Sequence, residues 1–107
     1  MSAKLSWFTV RLALLGVPGQ YADEAVRDLQ NELEMRPHLR NPQISWKSET
    51  RQAIIQVDNE ALSPESAAEG MAEELLEVAV AVLKEFKRIR VEILDVRPSS
   101  ENDHMKW

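Results

Sequence analysis

The chain has 107 residues with a formal net charge of −5, from 13 basic and 18 acidic side chains. That length supports one domain with a real core, and the acidic balance disfavours nucleic acid or an anionic membrane surface as the main partner. There is no cysteine, which excludes disulfides, thiolate nucleophiles and zinc–thiolate sites, and no apolar run approaches the roughly 18 residues of a membrane-spanning helix.

Leu5 to Leu15 reads as a strand, with Phe8, Val10, Leu12 and Leu14 on one face and Trp7, Thr9, Arg11 and Ala13 on the other. Gly16-Val17-Pro18-Gly19 breaks it with turn chemistry. A helix follows from Tyr21 to Met35, with Ala22, Ala25, Val26, Leu29 and Leu33 as its apolar stripe and Asp23 and Glu24 in its first turn. Arg36-Pro37 ends it, because proline disfavours helical backbone in the residue before it.

His38 to Pro42 reads as a basic, solvated loop. Two strands then follow, Gln43–Glu49 and Arg51–Val57, joined tightly at Glu49-Thr50. A two-residue turn pairs Trp46 with Ala53 and Ile44 with Ile55, which sorts the apolar residues onto one face. Asp58–Leu62 reads as a connection.

The longest helix is expected from Ser63 to Lys87. Ser63 can accept a hydrogen bond from a free amide of the first turn, and Pro64 suits the first helical position. One apolar stripe is Ala68, Met71, Leu75, Val78 and Val82; an adjacent one is Ala72, Leu76, Ala79, Leu83 and Phe86. Val80 and Ala81 widen them, so the second half is apolar nearly all round and should be covered on more than one side. Glu73, Glu74 and Glu77 read as a solvated back. The last strand runs from Ile89 to Val96, with Ile89, Val91 and Ile93 inward and Arg90, Glu92 and Leu94 outward. Pro98 closes it, and residues 99–107 form a polar tail carrying His104, Met105 and Trp107.

The order strand, helix, strand, strand, helix, strand is that of the ferredoxin-like βαββαβ sandwich, an α+β fold with a four-stranded antiparallel sheet and both helices on one face. It implies one domain over residues 1–98 and an open second sheet face. The fold hosts many activities and decides none.

The sequence offers three kinds of site. The first is an association surface. Trp7, Ile54 and Leu94 on the open sheet face, and Val80 and Ala81 on the long helix, are apolar surface that a second copy of the chain or another protein would cover. RNA-binding modules stack bases on aromatics of that sheet face, but here Trp7 stands alone and no Lys/Arg-Gly-Phe/Tyr motif occurs in Arg51–Val57.

The second is a ligand loop at Gly16, Val17, Pro18, Gly19 and Gln20, where a strand runs into a helix N-terminus. Pro18 and Gly19, followed by Ala22, Val26 and Leu29, resemble the ligand loop of ACT-type regulatory domains over roughly Phe8 to Leu33. Gly16 stands where such loops carry an acidic or amide residue. The resemblance implies a small effector such as an amino acid, held at a subunit interface.

The third is a small enzyme using a pocket at Arg11, Arg90 and Glu92. No nucleophile, acid–base pair, metal set or cofactor motif stands out to support it. The composition therefore fits a cytoplasmic module that acts by association, without cofactor, metal or catalytic residues. A small-ligand sensor is the competing reading.

Overall fold

The computed structural model describes residues 4–100. Four strands form one antiparallel sheet: β1 Ser6–Leu15, β2 Leu39–Lys47, β3 Gln52–Ala61 and β4 Arg90–Pro98. Their order is β2-β3-β1-β4, so β1 and β3 are central. Helices α1 (Ala22–Glu34) and α2 (Pro64–Val82) complete the expected α+β, ferredoxin-like arrangement. α1 packs mainly on β2 and α2 mainly on β4. No helix among the described residues is long and apolar enough to cross a membrane.

The core lies between sheet and helices. Val10, Leu12, Leu14, Ile55 and Val57 from the central strands meet Leu29 and Leu33 of α1 and Met71, Leu75 and Ala79 of α2, all fully buried. The hairpin has the expected register, with Trp46 opposite Ala53 and Ile44 opposite Ile55. Its connection is longer than two residues: Lys47–Gln52 is the last pair, and Arg51 turns the chain at φ 55°. The Ser63 hydroxyl accepts from the Ser66 amide at 3.1 Å, with Pro64 in the first turn, as the capping pattern requires.

Several expected boundaries are corrected. β2 starts at Leu39 within the expected loop; Leu39 and Arg40 pair with Asn59 and Asp58, and a bulge with Asn41 at φ 53° separates them from the rest of the strand. β3 correspondingly runs on to Ala61, which pairs with Ser6. Pairing with two neighbours holds these polar residues extended, although no alternation of apolar residues marks them.

α2 stops at Val82, five residues early. Leu83 leaves the helix at φ −110° and ψ 41° and is buried, and the Phe86 amide bonds back to its carbonyl at 2.9 Å. Phe86 then meets Tyr21 at 5.3 Å between ring centroids. The last apolar residues of the expected helix thus turn the chain back over the start of α1, and Lys84, Lys87 and Arg88 fall beyond the helix.

In β4, Val91, Ile93 and Val96 pair with Leu14, Leu12 and Val10, and a register shift leaves Leu94 as the extra residue. Ser99, expected in the tail, is buried and its amide bonds the Trp7 carbonyl at 2.9 Å. His104, Met105 and Trp107 lie outside the described residues.

Candidate functional site

The loop of Gly16, Val17, Pro18, Gly19 and Gln20 has a structural job at its first residue. Gly16 has φ 97°, and a Cβ there would stand 2.2 Å from the Arg88 carbonyl oxygen, so the α2–β4 connection crosses directly over it. Val17 is buried, while Pro18, Gly19 and Gln20 are exposed. The Pro18 carbonyl accepts from the Tyr21 amide at 3.0 Å in a short 3-10 turn that leads into α1, whose first turn has no side-chain cap. Beside the loop lies a shallow cleft walled by Tyr21, Ala25, Val82 and Phe86 and rimmed by Glu24, Asp28 and Glu85. Such a rim favours a cationic group over a carboxylate.

The open sheet face does not gather Trp7, Ile54 and Leu94 into one patch. Trp7 pairs with Glu60, whereas Ile54 pairs with Ala13, six residues along β1 and about 20 Å away. Ile54 is 8% exposed, at the floor of a depression lined by Arg11, Gln43, Ser45 and Gln56. The aliphatic stems of long polar side chains can cover apolar surface, so an isoleucine among such neighbours is buried even on an open sheet face. Trp7 lies beneath Arg40, whose guanidinium carbon is 4.9 Å from the ring centroid. Arg11 faces Gln56 and Asp95, while Arg90 and Glu92 stand opposite Leu15 and Ala13, so these three charged groups are spread along the sheet rather than lining one pocket.

Two polar clusters escaped the sequence reading. Asp58, 6% exposed, accepts from the Thr9 hydroxyl at 2.6 Å and the Asn41 amide at 2.8 Å. It thereby ties the β2 bulge to the central strands. Glu74 of α2, expected on a solvated helix back, is largely covered and meets Arg36 Nη1 at 3.2 Å and His38 Nε2 at 2.7 Å. These contacts fasten the α1–β2 turn, expected to be free, onto α2. Both clusters join residues far apart in the chain, and no local spacing could have announced them. Among the described residues no group of acidic side chains and histidines is placed to hold a metal ion.

The flank of α2 away from α1 is different. Glu74 marks the α1 side of the helix; at 100° per residue Leu76 lies about 200° round from it, above the β4 edge. Leu76 is 39% exposed there and Val80 56%, while Ile93 and Leu94 on β4 are each 46% exposed. Of the second apolar stripe, Leu76 is therefore left outside the core, because its neighbours Leu75 and Ala79 take the buried sector. Ala81 is also exposed, but it lies on the opposite side of the helix from Leu76. No protein-family model and no curated protein matches the chain.

Proposed function

We propose that the protein is a non-catalytic association module that pairs with a second copy of itself through the β4 edge and the adjoining flank of α2. The observation that carries this reading is the exposure of Leu76 and Val80 on α2 and of Ile93 and Leu94 on β4, the edge strand that α2 packs against. Exposed apolar residues grouped at a sheet edge mark interaction surface. The Asp58 and Glu74 clusters support a non-catalytic role, since each is engaged in holding elements together. The test is sedimentation at about 100 µM, which populates dimers with micromolar dissociation constants. Wild-type protein should sediment as a dimer and Val80→Glu as a monomer, with an unchanged far-UV circular dichroism spectrum. A wild-type monomer at that concentration refutes self-association.

A second reading is a small-effector sensor at Gly16–Gln20, supported by the cleft between Tyr21 and Phe86 beside that loop. It requires a saturable thermal stabilisation by an amino acid or a related amine that is lost in Gly19→Asp. Its absence across the amino acids removes this reading.

A further inference from the structure

We infer that two copies join their β4 strands antiparallel about a two-fold axis through Val91, continuing the sheet across the dimer. This rests on the self-association proposed above and adds which edge pairs and in what register.

The sheet has two edges, and they differ. The β2 edge carries Pro42 and the Asn41 bulge, and the Gln30 side chain of α1 already serves it: its amide nitrogen donates to the Pro42 carbonyl at 2.7 Å and its oxygen accepts from the Ile44 amide at 3.1 Å. A strand guarded in this way does not recruit another. In β4 the stretch Arg90–Ile93 lies before the bulge and holds regular register with β1. Among the described residues no side chain bonds its outer backbone.

Charge selects the register. Directly opposed residues of an antiparallel pair project from the same sheet face. Centring the axis on Val91 places Arg90 opposite the partner's Glu92 and, by symmetry, Glu92 opposite the partner's Arg90, both on the open face. Ile89 then meets the partner's Ile93 on the helix face, beneath Leu76 and Val80. Among the described residues neither Arg90 nor Glu92 has an ionic partner, and across β1 they face only Leu15 and Ala13. An axis through Val96 would also match charges, Asp95 against the partner's Arg97. Those two are already paired within the chain at 3.2 Å, and the bulge at Leu94 interrupts that stretch. An axis between Ile93 and Leu94 would set Arg90 against the partner's Arg97 and Glu92 against the partner's Asp95, like charge against like, which is repulsive.

The chain has no cysteine, so a single introduced thiol reports one position. Opposed Cα atoms in an antiparallel pair are about 4.5–5.5 Å apart, within disulfide range. Val91→Cys should oxidise to a covalent dimer under mild oxidant, at least ten times faster than Val96→Cys. In sedimentation Arg90→Glu and Glu92→Arg should each shift the protein toward monomer, and the double swap Arg90→Glu/Glu92→Arg should restore the dimer. The charge variants lie on the exposed face of an edge strand, and circular dichroism checks that they remain folded. A wild-type dimer in which Val96→Cys cross-links as fast as Val91→Cys, or in which the double swap stays monomeric, overturns this register and leaves self-association standing. A wild-type monomer overturns both.

Discussion

Replacing Gly16 with alanine tests whether the strand-to-helix loop is built around the chain's own backbone. The new Cβ would lie 2.2 Å from the Arg88 carbonyl oxygen, 2.6 Å from its carbon and 3.0 Å from the Ile89 Cα. These are backbone atoms at the entrance to β4, so no side-chain rotation relieves the clash. The φ of 97° adds strain for any L side chain. The strained conformation costs about 1–3 kcal/mol and the forced displacement a similar amount, together on the order of 2–6 kcal/mol. That is a large share of the roughly 5–15 kcal/mol by which a domain is stable. Urea unfolding followed by far-UV circular dichroism should show the midpoint fall with little change in slope. Gly19→Ala is the internal control, because nothing lies within 4 Å of its added Cβ and its φ is not positive. It should stay within about 0.5 kcal/mol of wild type. A loss under about 1 kcal/mol for Gly16→Ala, or equal losses at both glycines, would refute the close-approach argument.

Two other substitutions probe the corrected parts of the structure. Leu75→Ala should cost about 2–5 kcal/mol in urea unfolding and Leu76→Ala about 1 kcal/mol or less at concentrations where the chain is monomeric, since Leu75 is fully buried and Leu76 is 39% exposed; the reverse ranking would mean that α2 is rotated. Asp58→Ala should cost about 1–3 kcal/mol by removing the buried acceptor shared by the Thr9 hydroxyl and the Asn41 side chain, and hydrogen exchange should quicken at Arg40–Gln43; unchanged protection there would show that the bulge holds without this carboxylate.

Local chemistry in the sequence was enough for the order of elements, the hairpin register and the start of α2. With Glu49 and Thr50 at the turn, Trp46 and Ile44 fall opposite Ala53 and Ile55 on one face, and Ser63-Pro64 can begin a helix without help from elsewhere. Periodicity also identified α2 as the broadest apolar helix, but it could not say which sector its neighbours cover. Leu75 and Leu76 are alike in sequence, and only the placement of α2 against β4, with Glu74 turned toward Arg36 and His38, buries one and exposes the other. The same limit holds at the strand ends. Asp58, Asn59 and Glu60 look like a loop, yet they are held extended by hydrogen bonds to β1 and β2, whose positions are tertiary facts. Ile54 looked like surface and is buried among Arg11, Gln43 and Gln56. Hydrogen-bond partners, covering side chains and close backbone crossings such as Arg88 over Gly16 come from residues tens of positions away. A pattern read within one stretch of chain carries no information about them, and they decide which apolar groups remain exposed.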